Sequence, residues 1–189
     1  MMWRCAIYCG RFQPPHHGHL ASLVKGLKYA EKVCLGIRNV ELSFRNPLTP
    51  SEVKECWIRL LESLNLCDYV IIKIIPDFPK NIPLPIDDKV IYRGHLLIDW
   101  AKKVEKIFET TPKHDVFIGN KPHMVLAFNL LGYVVISGHR SVYRTIDVSA
   151  TEIRNLILSR NEKWKKLLPK PVVNYLEEIN IYERLKSLK

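Results

Sequence analysis

The sequence predicts an α/β protein, a Rossmann-like parallel sheet with helices on both faces and a C-terminal helical segment. Short apolar runs alternate with helix-period segments up to about residue 136, the order that builds parallel sheets through right-handed crossovers. One run, Tyr69 to Ile75, is almost wholly apolar and rich in β-branched residues, as in a strand buried on both faces. No internal repeat or glycine-serine linker divides the 189 residues, enough chain for one domain with a sizeable core.

Taken in order, residues 4–9 read as a short buried strand. Residues 18–31 read as a helix with Leu20, Leu23, Val24 and Leu27 on one face. Val33 to Ile37 is a second strand. After a polar loop, Thr49-Pro50-Ser51-Glu52 opens a helix, with threonine as N-cap, proline at the first helical position and glutamate closing a capping box. The Tyr69–Ile75 strand follows, then a proline-rich excursion from Pro76 to Gly94 that reads as a lid or insertion. Residues 97–108 and 121–131 read as helices, and 115–118 and 133–136 as strands. Beyond them lie helical segments at Ser149–Ser159 and Lys163–Leu188, the second interrupted by Pro169 and Pro171. The expected organisation is a single domain, with a core over 1–147 and C-terminal helices over 148–189.

Composition narrows the class. A hydrophobic fraction of 47% and a charged fraction of 25% are ordinary for a globular protein. No apolar run approaches the roughly 20 residues that cross a bilayer, and the N-terminus lacks a signal-peptide pattern; a cytoplasmic protein is expected. Five cysteines without a C-x-x-C pair, several in strand-like runs, suggest reduced, buried thiols. The net charge of +10, from 29 Lys plus Arg against 19 Asp plus Glu, attracts anions. Nucleic acid and small phosphorylated ligands both fit that charge.

The motifs separate those two. Directly after the first strand stands Gly10-Arg11-Phe12-Gln13-Pro14-Pro15-His16-His17-Gly18-His19. In an open α/β sheet this is where ligands bind, facing a helix N-terminus that favours anions. The segment has neither a Walker A lysine nor G-x-G-x-x-G, so a P-loop or classical dinucleotide-binding reading is unsupported. Far along the chain, Val148-Ser149-Ala150-Thr151-Glu152-Ile153-Arg154 opens another helix. Ser149 is placed to cap it with Glu152 closing the box, and Arg154 to reach phosphate in a forked manner.

His16, Gly18 and His19 resemble the H-x-G-H signature of the nucleotidylyltransferase superfamily, and Ser149, Thr151 and Arg154 its I-S-x-T-x-x-R signature. Further pieces resemble the archaeal-type nicotinamide-nucleotide adenylyltransferases: Gly10-Arg11-Phe12-Gln13-Pro14, Arg45-Asn46-Pro47-Leu48-Thr49, Ile75-Pro76-Asp77, Gly119-Asn120 and the tail from Trp164 to Leu185. The resemblance implies transfer of AMP from ATP to nicotinamide mononucleotide, forming NAD and pyrophosphate by direct in-line attack. It implies that His16, His19, Arg11 and Arg154 are catalytic. ATP is expected to meet Gly10, Arg11, Phe12, His16, Gly18, His19, Gly119, Asn120, Val148, Ser149, Thr151 and Arg154. The acceptor is expected to meet Trp100, Arg45 and Arg144, with the Trp100 indole face on the pyridinium ring. Mg²⁺ is expected to arrive with ATP, no metal-ligating side chains are expected, and the resemblance implies a homo-oligomer without nucleic acid or membrane partners. Arg38 and Glu41 stand where the family has a small, polar segment, and the stretch between Asp77 and Trp100 is longer than in the family's pattern. Two alternatives stay open. One is a nucleotidylyltransferase using nicotinic-acid mononucleotide, FMN or a phosphopantetheine-type acceptor; the other is a non-catalytic basic protein that binds nucleotides or nucleic acid.

Overall fold

The computed structural model describes residues 2–79, 96–138 and 148–189. Among them the chain runs β1 (Trp3–Gly10), α1 (His17–Tyr29), β2 (Ala30–Arg38), α2 (Pro50–Ser63), β3 (Val70–Ile75), α3 (Ile98–Phe108) and β4 (Asp115–Gly119). It continues through α4 (Pro122–Leu130), β5 (Val134–Ser137), α5 (Ala150–Leu158), α6 (Trp164–Leu167), α7 (Lys170–Glu178) and α8 (Ile181–Ser187). The strands form one parallel sheet in the order β3-β2-β1-β4-β5. The chain starts at the centre, builds outward to β3, then returns to build the other half. The reversal between β1 and β4 leaves a crevice at their carboxyl ends, the usual ligand position in such sheets.

Alternation along the strands sorts the core into two layers. Ala6 and Tyr8 of β1, Leu35 of β2 and Ile118 of β4 face one layer, with Leu23 of α1, Trp57 of α2, Ile153 of α5 and Leu176 of α7. Cys5, Ile7 and Cys9 of β1 and Phe117 of β4 face the other, with Trp100 of α3 and Phe128 of α4. The predicted α/β architecture with helices on both faces is therefore the observed one.

Three expectations change. β3 is an edge strand, and Ile71 and Ile74 are 38% and 41% exposed; an apolar run records hydrophobicity but not the number of neighbouring strands. The C-terminal segment is three short helices. Pro169 follows the extended Leu168, and Asn180 adopts a left-handed conformation (φ 49°), so the helix stops at each. Finally, Cys5 and Cys34 form a disulfide, while Cys9, Cys56 and Cys67 are free. Parallel register pairs Ile7 with Cys34, placing Cys5 on the same face with a Cα–Cα distance of 6.2 Å, within bridging range. Nothing in the linear spacing of the cysteines reveals that neighbourhood.

The Thr49–Glu52 capping box forms as expected, with Glu52 Oε2 accepting from the Thr49 N–H at 2.8 Å and Thr49 Oγ1 from the Glu52 N–H at 3.2 Å. Arg184 of α8 reaches the other Glu52 oxygen at 2.5 Å, and Arg59 bridges to Glu178 at 2.6 Å. These pairs dock the C-terminal helices on α2, which in turn holds the loop facing the crevice.

Candidate active site

The loop from β1 to α1 is shaped by packing. Phe12 is left-handed (φ 51°), and its ring meets Tyr8, His19 and Trp57 edge-on. A Cβ at Gly10 would lie 2.7 Å from that ring, so the close turn requires glycine there. The Gln13 side chain clasps Leu48 from both directions, donating to its carbonyl at 2.8 Å and accepting from its N–H at 2.9 Å. The first loop is thereby tied to the segment preceding α2.

His16 is the extended residue that opens α1, and its backbone N–H donates to His19 Nδ1 at 3.3 Å. The two rings stack with centroids 3.6 Å apart. Because Nδ1 of His19 accepts, neutral His19 carries its proton on Nε2, which makes that atom a donor. Helix capping and phosphate handling are therefore compatible in the same pair.

At the start of α5, Ser149 Oγ accepts from the Glu152 N–H at 3.1 Å, one half of the expected box. Arg154 is 6% exposed; it donates to the Gln13 carbonyl at 2.9 Å and to Thr151 Oγ1 at 3.2 Å. The second motif is thus hydrogen-bonded to the first across 141 positions of sequence. Burial, then the charges of Arg11 and Arg45, lower the Arg154 pKa. An anion placed among these three guanidiniums relieves their mutual repulsion.

These groups line a cavity of about 720 Å³, within the span of about 300–1,000 Å³ usual for small-molecule sites. Every residue that the sequence assigns to ATP contributes to the wall, and so does Arg45. Among the described residues the wall carries Arg11, Arg38, Arg45, Lys121 and Arg154 but no carboxylate. Nor do the described residues include a cluster of three or more His, Cys, Asp or Glu side chains able to hold a metal ion.

The residues expected at the acceptor are placed differently from those expected at ATP. Trp100 is 2% exposed, its ring packs edge-on against Phe78 and Phe128, and its N–H is spent on the Pro76 carbonyl at 2.8 Å. Phe78 lines the described cavity wall and Trp100 packs behind it. Arg144 lies outside the described residues, as does most of the excursion between Pro76 and Gly94. Arg38, Phe78, Leu97 and Met124 on the wall went unassigned in the sequence reading. Position was the available signal: Arg38 ends β2 and Phe78 follows β3, both at the carboxyl edge of the sheet.

The cytidylyltransferase-like family matches residues 7–156. Nicotinamide-nucleotide adenylyltransferase from Thermococcus sibiricus is 33% identical over 96% of this chain and 88% of its own. Among solved structures, a bifunctional NMN adenylyltransferase/ADP ribose pyrophosphatase from Francisella tularensis superposes with a TM-score of 0.69 at 19% identity. That alignment covers 99% of this chain but 52% of the other, so the chain spans about half of the bifunctional protein. A second structure of that protein, complexed with AMP and a manganese ion, gives a TM-score of 0.58 at 18% identity, covering 95% and 53% of the two chains. The structures establish a shared fold, and the near-full-length sequence similarity goes further: this chain belongs to the cytidylyltransferase-like family, among the archaeal nicotinamide-nucleotide adenylyltransferases.

Proposed function

We propose that the protein transfers AMP from ATP to nicotinamide mononucleotide, making NAD and pyrophosphate. The observation that carries this reading is the joining of two distant motifs around one cationic cavity, with Arg154 bonded to the Gln13 carbonyl. An oxygen of the acceptor's 5′-phosphate attacks the α-phosphorus in line. A new P–O–P bond forms, and the bond to the β-phosphate breaks with its electron pair leaving on pyrophosphate. Phosphate is already a nucleophile, so alignment and charge stabilisation suffice.

His19 donates from Nε2 to the α-phosphate as its charge grows, and His16 assists. Arg11 and Arg154 neutralise the β- and γ-phosphates. Gly10, Phe12 and Gly18 shape the turn that lets phosphate approach. Gly119, Asn120, Val148, Ser149 and Thr151 surround the adenosine half, and Arg45 meets acceptor phosphate. Trp100 acts indirectly, by holding Phe78 at the wall. Mg²⁺ arriving with ATP would supply charge neutralisation at the leaving group, beside the guanidiniums of Arg11 and Arg154. A wall without carboxylates among its described residues fits an ion carried in this way.

We also propose a cytoplasmic homo-oligomer. No helix among the described residues is long and apolar enough to cross a membrane, and the exposed Ile71 and Ile74 on edge strand β3 offer surface for self-association. The central test incubates the protein with ATP, Mg²⁺ and nicotinamide mononucleotide and follows pyrophosphate and NAD together. Stoichiometric appearance of both is expected. ATP binding with no NAD or pyrophosphate would remove the catalytic reading.

A further inference from the structure

The cavity has two sides of different origin. The phosphate motifs rest on the layer containing Phe12 and Ile153, whereas Phe78, Leu97, Phe117 and Met124 rest on the layer containing Trp100. Arg38 stands on this second, largely apolar side, where His123 packs edge-on against Phe78. Strands β2 and β3 pair Arg38 with Ile75, so Asp77 and Phe78 emerge beside it. Gly36 keeps that pairing close, since a Cβ there would lie 2.8 Å from Ile75 and 2.9 Å from Cys9 Sγ.

The guanidinium is held on two sides. Its Nε donates to Asp77 Oδ1 at 2.8 Å, and Nη2 bonds the same oxygen. Its central carbon sits 3.4 Å from the Phe78 ring centroid. Phe78 is braced edge-on by Trp100, with ring centroids 4.9 Å apart. Only 14% of the Arg38 side chain is exposed. Nη1 has no hydrogen bond among the described residues. Arg38 lines the described cavity wall, and Asp77 is not among its lining residues. Among the described residues of the wall on this side, a ligand therefore meets oriented donors and no carboxylate acceptor.

A flat ring bearing a carboxylate suits this arrangement: its two oxygens accept from a planar guanidinium, and its charge is matched by the surrounding cations. A carboxamide offers one acceptor oxygen and no charge to set against these cations, so it gains less from the same donors. We propose that Arg38 binds the 3-substituent of the acceptor's pyridine ring and selects the acid form of the mononucleotide over the amide, both being adenylylated. This rests on the functional reading above and names the selecting group within the same site.

The test measures kcat/KM for both acceptors at saturating ATP in the wild-type protein and in the double variant R38M/D77N. Changing the pair as a unit leaves no orphan carboxylate, and the acid-to-amide ratio within one preparation cancels any loss of folded protein. The wild-type ratio is expected at about tenfold or more, as for a site built around a charged hydrogen bond, and it should fall to about one or below in the variant. A wild-type preference for the amide overturns the proposal. So does a ratio that the double variant leaves unchanged while adenylyl transfer persists. Product from neither acceptor overturns the functional reading and this inference together.

Discussion

The two sides of the cavity were built by different rules. The phosphate side consists of short contiguous motifs, each at a helix start, where one stretch of backbone delivers several groups at once. His16 and His19 meet within a single helical turn, and Ser149, Thr151 and Arg154 within another. The acceptor side has no such unit. Arg38, Phe78, Leu97 and Met124 come from β2, the segment after β3, the start of α3 and α4, and they converge because the sheet aligns the ends of its strands. The AMP transfer proposed above is assigned to the local, backbone-directed side. The side proposed for the acceptor is assembled from separate side chains delivered by different elements.

That contrast can be broken most severely at His19. His19→Ala removes a donor needed as charge develops, and kcat is expected to fall by on the order of 10²–10³. The melting temperature should stay within a few degrees, because the buried Phe12 and Leu23 retain the packing of this corner. Full turnover by a folded variant would empty the phosphate side of its assigned chemistry.

A smaller, one-sided effect is expected at Phe78. Phe78→Ala removes the surface beneath the Arg38 guanidinium and the ring that reaches the wall. The acceptor KM should rise by about tenfold, the scale of a lost aromatic contact, with the KM for ATP unchanged. Equal changes in both constants would show that the two sides are not separable.

The smallest effect concerns the scaffold. Burial tends to raise the Glu52 pKa, but the bonds from Arg184 and Thr49 outweigh it and leave it below its ordinary value of 4.5. A carboxyl depressed in the folded state stabilises above the unfolded pKa, and that contribution disappears as pH falls through the folded pKa. Glu52→Gln should therefore cost about 1 kcal/mol near neutral pH, a typical capping contribution, and progressively less as pH falls below about 4.5. Thermal melts of the two proteins between pH 3 and 7 measure the difference. A gap that stays constant with pH would assign the effect to packing alone.

Legibility followed the same division. Strand–helix alternation, the Thr49 cap and both phosphate motifs were visible because each depends on residues a few positions apart. The surroundings of Trp100 were not legible because an aromatic on an amphipathic helix has the same sequence signature whether it lines a cavity or supports the residue that does. Its 2% exposure and its bond to the Pro76 carbonyl decide the matter. The Cys5–Cys34 bridge was missed for a related reason: an odd cysteine count says nothing about which strands are neighbours.

By itself the sequence determined the α/β class, the helix starts and two short motifs that line one cavity, since backbone geometry turns short spacing directly into position. Only the tertiary structure decided which strands lie at the edges, which thiols meet and which aromatic reaches the cavity. It also decided that Arg38 stands over Phe78 and beside Asp77. These contacts join segments tens of residues apart, and strand order and register, which no local pattern encodes, bring them together.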